Sequence, residues 1–434
     1  MPPSRVLATE LGLSRRTVIA TYDKPVAEGY IEGRKGSGFY ACQIGEKDVV
    51  KKPPMLSLSQ PTRTAKTHNA PQSHPGYPDS RLFPYGAWAK CLARTARVTP
   101  EAMTQNTSPF GDPALRASIA QYLADWRGLN IAPDQVLITA GSVGALECCI
   151  RTLTEKGDTI GPEDPGYRPI RNILINQGMQ IKSLPITKQG TEVSVLNHPK
   201  DRTKMVVLTP SHQFPLGGAM SPNRRLEFQQ WAEKNNSWII EDDYDSEFRY
   251  EGRPIPAMAS NNSTGKIIYV GTFSKVFSFG LRLGYLIMPP TLIARFADTL
   301  SMFSIKAAMP SQRALSNFIN SGELYRHIRR VRRIYAERRK VLVEQVQSQL
   351  LPYVTFEDTH AGMQLVLKLV IDINDSVIAQ AAKEKGINIL SLSSRYQTAP
   401  SANGLLLGFS TYTDQEICTN VTALREIIER LNKP

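Results

Sequence analysis

The chain has 434 residues, too many for one ordinary core, and its 41% apolar and 21% charged composition is that of a globular protein. No apolar run approaches the roughly 20 residues of a membrane span, and the start lacks the apolar stretch of a signal peptide. The five cysteines and six histidines show no metal-ligand spacing, which speaks against a metal enzyme and for reduced thiols in a cytoplasm.

The net charge of +13 calls for an anionic partner, and its placement along the chain is uneven. Residues 1–42 read as a small basic unit. "SRVLATELG" is a helix stopped by Gly12, and Ser14 can cap a second helix that begins "SRRTVIATY". "EGRKGSGFY" reads as a hairpin with Gly36 and Gly38 at its turn. Pro25 falls inside the second helix pattern. An interior proline costs about 3 kcal/mol unless the helix ends or kinks there, so shortening or bending near Asp23–Lys24 is expected.

Residues 43–78 are rich in Pro, Lys, Ser and Thr and read as a linker. Beyond them, strands and helices alternate. "QVLITAG", "DTIGPED", "TKMVVLTP", "WIIEDDYD" and "KIIYVGTFSK" are apolar strands that run into polar turns, with helices such as "SVGALECCIRTLTEKG" and "RRLEFQQWAEKNN" between them. This is the pattern of a mostly parallel sheet, whose ligands bind at the strands' C-terminal edge. After about residue 305, "HAGMQLVLKL" and "ANGLLLGFS" suggest a second, smaller α/β lobe. The run Arg326–Lys340 carries eight Lys/Arg against Glu337 alone. It reads either as the solvated face of a helix or as a surface that meets phosphates.

The turn "GTFSKVFSFGLRLGY" holds the most informative residue, Lys275. A desolvated lysine amine forms a Schiff base with an aldehyde, and Arg282 can clamp a phosphate. Asp242, at the end of another strand, can keep a pyridine nitrogen protonated, and Tyr244 can bond a ring oxygen. Tyr167 in "EDPGY" offers a stacking face, and Ser142 with Val143 offers backbone donors at a helix N-terminus. Thr272 and Ser142 could equally be ordinary turn caps.

In this order, these segments resemble the type I aminotransferase fold, and "HPGYPDSRLFPYGAWAK", "TPSHQFPLGG" and "EDDYDSEFRYEGRP" resemble the forms it takes in MocR-like regulators. Those proteins join a GntR-type winged helix-turn-helix to an aminotransferase-like domain. The resemblance implies an α/β fold with a mostly parallel large domain, a small domain from about 305 and an N-terminal partial winged helix-turn-helix. It also implies pyridoxal 5′-phosphate as cofactor. Lys275 would bind it covalently, Asp242 would face its nitrogen, Tyr244 its 3′-oxygen and Tyr167 its ring. Ser142, Val143, Thr272 and Arg282 would hold its phosphate, with His212 also in the cofactor set.

For the N-terminal unit the resemblance implies DNA recognition by Ser14, Arg15, Arg16 and Thr17, with Arg5, Arg34 and Lys35 near phosphates or bases. A winged domain of this type closes its core with a further helix before "SRVLATELG". The given sequence starts at Met1 without it, so either the true start lies upstream or the element is lost, and a unit of about 40 residues lacking it is expected to be marginal. Two departures bear on catalysis. Phe214 stands where aminotransferases carry an asparagine, and Leu406 where many carry the arginine for a substrate carboxylate. Arg395 could replace that arginine from a nearby loop, or be a surface residue. The expected function is a dimeric regulator that senses the cofactor or an amino compound. The alternative is a working aminotransferase that moves an amino group to a 2-oxo acid.

Overall fold

The computed structural model describes residues 1–34, 37–42, 75–105, 108–303, 307–398 and 402–432. It divides into two compact units, residues 1–69 and 70–434. The linker expected over 43–78 lies outside the described residues up to position 74, as do Lys35 and Gly36 of the hairpin turn.

The smaller unit has α1 (Ser4–Leu11), α2 (Arg15–Ala27), β1 (Ile31–Arg34) and β2 (Gly38–Ala41). Gly12 ends α1 in the left-handed conformation, φ 65°, which glycine adopts without a Cβ clash. Ser14 caps α2, its hydroxyl accepting from the Thr17 amide at 3.1 Å. The two strands pair antiparallel, Ile31 opposite Ala41. Ala8, Val18, Tyr22 and Ile31 form its buried core, with Leu7 and Phe39 against them. Val6, Leu11, Leu13 and Ile19 remain exposed.

Pro25 does not shorten α2, which continues through it to Ala27. The proline sits in the last turn, so it deprives only the Thr21 carbonyl of a partner, and Thr21 is exposed where water can replace the bond. Of the shortening or bending expected near Asp23–Lys24, the shortening is corrected on that ground.

The larger unit opens with α3 (Tyr85–Val98), α4 (Glu101–Thr104) and α5 (Pro113–Arg127). It then runs β3 (Val136–Thr139), α6 (Gly141–Leu153), β4 (Thr159–Asp164), α7 (Arg168–Asn176), β5 (Gln180–Ile181), β6 (Leu184–Thr187), β7 (Gly190–Thr191) and β8 (Thr203–Leu208). α8 (Pro222–Lys234), β9 (Trp238–Asp243), β10 (Ile267–Thr272) and β11 (Gly284–Ile287) follow. The main sheet has the order β3-β11-β10-β9-β8-β4-β6-β7, with β5 beside β4. The central pairs β10–β9, β9–β8 and β8–β4 are parallel, whereas β11 is antiparallel to both β10 and β3.

Both faces of that sheet are covered, which is why its strands read as unbroken apolar runs. Leu146, Cys149 and Leu153 of α6 pack with Ile160, Val207 and Ile240 on one face. Phe228 and Trp231 of α8 pack with Val206, Leu208 and Ile239 on the other.

Helices α9 (Ile293–Phe303), α10 (Pro310–Asn320) and the long α11 (Glu323–Gln349) lead into the second lobe. There β12 (Val354–Thr355), β13 (Gln364–Leu369), α12 (Asp375–Glu384), β14 (Ile389–Ser391), β15 (Gly404–Gly408) and α13 (Asp414–Leu431) build an antiparallel sheet, order β12-β13-β15-β14, backed by helices. Among the described residues, no helix is long and apolar enough to cross a membrane.

Candidate cofactor site

Five strands of the main sheet release their polar C-terminal residues toward one cavity of about 370 Å³. Its wall includes Ser142 and Val143 from the first turn of α6, Tyr167 after β4, Asp242 and Tyr244 from the end of β9, and Thr272, Lys275 and Arg282 around the turn after β10. Arg395 enters from the second lobe. The structure thus brings together nearly the whole candidate set from segments far apart in the chain.

Lys275 is largely but not completely withdrawn from solvent, and its Nζ donates to the Gly76 carbonyl at 2.6 Å. Desolvation lowers its amine to about 8, against the opposing pull of Asp245 and Asp242. Asp242 is buried too. Desolvation, then the charges of Asp243 and Glu163, raise its carboxyl to about 7, with Lys275 opposing. Its Oδ1 has no hydrogen-bond partner. A buried oxygen of this kind costs free energy unless something fills its place, and a protonated ring nitrogen in the cavity would do so.

The neighbouring carboxylates do not compete for that role. Asp243 is held by Arg127 at 2.7 Å and by the Tyr269 hydroxyl at 2.5 Å. Glu163 accepts from Thr191 at 2.6 Å and from the Thr209 amide at 3.1 Å. Burial raises the Glu163 carboxyl, although those bonds oppose the shift.

His212 is not in the cavity wall. It stands behind Tyr244, its Nδ1 3.0 Å from the Tyr244 hydroxyl and 3.0 Å from each Asp245 oxygen. Desolvation by itself lowers the imidazole, but the charge and hydrogen bond of Asp245 outweigh it and the net shift is upward. The Gly362 backbone from the second lobe presses on the ring so closely that a Cβ there would lie 2.2 Å from Cε1. The ring therefore supports Tyr244 from behind.

Phe214 does line the cavity, edge-on to Tyr167 and to Tyr244 at 6.0 and 5.8 Å between centroids. An apolar edge thus replaces the amide that the aminotransferase pattern leads one to expect. Leu406 is fully buried in β15, opposite Leu390 and Val366, and faces no ligand space. Arg395 does line the cavity, and its Nε is buried without a partner.

Several wall residues carry no signal in the sequence. Tyr77 stacks on Phe279 at 4.5 Å, and Pro75, Arg168 and Thr209 complete the rim. Tyr77 lies within the "HPGYPD" segment and Arg168 just after "EDPGY", but nothing in their spacing separates them from ordinary turn residues.

The DNA-binding candidates Arg5, Ser14, Arg15, Arg16, Thr17 and Arg34 all belong to the smaller unit. Arg15, Arg16 and Thr17 form the exposed first turn of α2, while Arg34 ends β1 and pairs with Glu32. The basic run on α11 splits in two. Arg338 and Arg339 are buried against Asp79 and Asp358, whereas Arg326, Arg329, Arg330 and Arg333 are exposed. Part of that charge is therefore structural.

Comparison with known proteins adds the family. Residues 79–402 match the family Aminotransferase class I and II. Over 437 residues the chain is 36% identical to the "Probable rhizopine catabolism regulatory protein MocR" of Rhizobium meliloti, covering 98% of this chain and 88% of that protein. The chain belongs to the MocR-type transcriptional regulators. In this family a helix-turn-helix head precedes an aminotransferase-like domain that uses pyridoxal phosphate. The "HTH-type pyridoxine biosynthesis transcriptional regulator PdxR" of Corynebacterium glutamicum is 30% identical, over 96% of this chain and 88% of that one.

Among solved structures, an archaeal alanine:glyoxylate aminotransferase superposes with a TM-score of 0.77 at 24% identity, over 82% of this chain and 90% of that one. The kynurenine aminotransferase of Pyrococcus horikoshii gives 0.76 at 24%, over 83% and 91%. These likenesses establish the type I aminotransferase fold of this MocR-type chain.

Proposed function

We propose that this regulator binds DNA as a homodimer in the cytoplasm through Arg5, Ser14, Arg15, Arg16, Thr17, Arg34 and Lys35, and that occupancy of its larger unit by pyridoxal 5′-phosphate or an amino compound adjusts that binding. The observation that carries the reading is the buried, partnerless Asp242 Oδ1 in a cavity that also holds a desolvated lysine and Arg282. When bound, the cofactor supplies an aldehyde that reacts with amines and a ring that withdraws electrons. Lys275, lowered toward neutrality by burial, is the amine that would hold it covalently. Asp242 would keep its nitrogen charged, Tyr244 would bond its 3′-oxygen and Tyr167 would flank its ring. Ser142, Val143, Thr272 and Arg282 would bind its phosphate, combining a helix N-terminus with a guanidinium.

Arg395 supplies a carboxylate site for an amino-acid-like effector, since its guanidinium enters the cavity and makes no ion pair with a described carboxylate. The test is a fluorescence-anisotropy titration of the full chain against the DNA upstream of its own gene, with and without pyridoxal phosphate, at two salt concentrations. Cofactor-dependent, sequence-specific binding supports the reading. A cofactor-loaded chain that ignores DNA yet turns over amino donors with 2-oxo acids would replace it with the enzyme.

A further inference from the structure

The turn that carries Tyr167 and the segment that carries Arg395 come from different lobes, yet they are bonded to each other through one side chain. Asp164, the last residue of β4, is 6% exposed. Its Oδ1 accepts from the Gln397 amide at 2.7 Å. Its Oδ2 accepts from the Thr398 amide at 2.9 Å and from the Thr398 hydroxyl at 2.5 Å. Alongside, the Gly166 amide donates to the Arg395 carbonyl at 3.2 Å, and Arg171 reaches the Tyr396 carbonyl at 3.5 Å. Asp164 makes no ion pair with a described residue, so it is the amide and hydroxyl donors of residues 397–398 that satisfy this buried carboxylate.

The consequence is geometric. A one-turn helix, Ser393–Arg395, delivers Arg395 to the cavity from the second lobe. The backbone on its C-terminal side is anchored to the β4 turn, three residues before the Tyr167 ring. An arginine recognises a carboxylate by the placement of its planar fork, so a shift of its backbone weakens the contact even when the side chain is intact.

We infer that Asp164 is the positioning residue for carboxylate recognition in this cavity: by docking residues 396–398 on the β4 turn, it holds Arg395 at a set distance from the ring-binding wall. The inference rests on the effector role proposed for Arg395. It also defines the effector class, a compound whose amine reaches toward Lys275 while its carboxylate reaches Arg395.

The experiment uses the full, cofactor-loaded chain. Acetate, succinate and benzoate serve as carboxylate probes and ethylamine as a carboxylate-free one, each titrated through the change in the visible band of the bound cofactor. The variants are Asp164→Ala, the milder Asp164→Asn, Arg395→Ala and the double Asp164→Ala/Arg395→Ala. Hydrogen exchange of residues 396–398 is followed in parallel. Asp164→Ala is expected to speed exchange there, weaken the best carboxylate about 10-fold and leave ethylamine within about twofold. Adding it to Arg395→Ala should cost nothing more, because the two act as one unit. Faster exchange with unchanged carboxylate affinity would make Asp164 mere lobe packing and overturn the inference. Wild-type protein that binds ethylamine but no carboxylate would overturn the Arg395 assignment, and the inference with it. If Asp164→Ala does not fold, Asp164→Asn decides by the same two readouts.

Discussion

Lys275 Nζ donates to the carbonyl oxygen of Gly76 at 2.6 Å, across 199 residues of sequence. The segment around Gly76, at the start of the larger unit's described chain, thus closes the cofactor cavity, and Tyr77 beside it stacks on Phe279 and sits 5.5 Å below the lysine amine. Gly76 has φ 80°, and a Cβ there would lie 3.3 Å from Nζ. Gly76→Ala should therefore strain the backbone by roughly 1–2 kcal/mol and displace the amine. Slower formation of the cofactor's visible band, with an unchanged far-ultraviolet spectrum, is the expected result.

Lys275→Ala should leave a folded protein that binds pyridoxal phosphate only non-covalently, because among the described residues no other lysine lines the cavity. Borohydride reduction followed by mass spectrometry of the intact chain checks this. A variant that still gains the cofactor's mass would refute the assignment.

Asp242 is expected to give effects of opposite sign with and without cofactor. Burial raises its folded carboxyl to about 7, above the unfolded value of 3.8, so the native state binds more protons between those values. Stability of the cofactor-free chain must then fall as pH rises through that window, by on the order of 2–4 kcal/mol. Asp242→Asn should stabilise the cofactor-free protein at pH 8 while lowering cofactor affinity at least about 10-fold. Thermal melts and absorbance titrations at pH 5 and pH 8 read both.

His327 on α11 should produce an acid instability. Burial, aided by the Arg330 charge, lowers it to about 4 from 6.5. The unfolded state then binds the extra proton, so stability is full above pH 6.5 and is lost as pH falls toward 4, by on the order of 1–3 kcal/mol. His327→Gln, which has no proton to take up, should show a flatter melting temperature between pH 6.5 and 4. A variant with the same slope as the wild type would place the acid sensitivity elsewhere.

Ser14→Ala removes the cap of α2 and should destabilise that helix by about 1 kcal/mol. In a core as small as Ala8, Val18, Tyr22 and Ile31, that loss is expected to weaken DNA binding several-fold and leave cofactor loading untouched. Arg5→Gln and Arg34→Gln should instead reduce the salt dependence of binding, by about one slope unit for each DNA phosphate that is no longer neutralised. Anisotropy titrations at several salt concentrations separate the two effects.

Much of the site could be read from local sequence, since Asp242 lies at the end of an apolar strand and Lys275, Tyr244 and Tyr167 each follow one within a few residues. A strand's end and its turn are short-range properties, and a parallel sheet collects such ends along one edge. What short-range reading missed has long-range causes. His212 lies behind Tyr244, with the Gly362 backbone from another lobe packed against its ring. Pro25 is tolerated because the helix ends two residues later. The eight cations of Arg326–Lys340 look alike in sequence, but only tertiary packing puts Asp79 and Asp358 against two of them.

By itself, the sequence determined the order of strands and helices, the chemistry available at the strand ends and the kinship with MocR-type regulators. All of these follow from periodicity, turn residues and motif spacing along the chain. Only the tertiary structure decided which oxygens are left without partners, which arginine enters the cavity and which turn holds it there. Those facts depend on pairs such as Gly76–Lys275 and Asp164–Thr398, between residues about 200 positions or more apart. Burial and hydrogen-bond satisfaction are properties of the assembled core, and no local pattern encodes them.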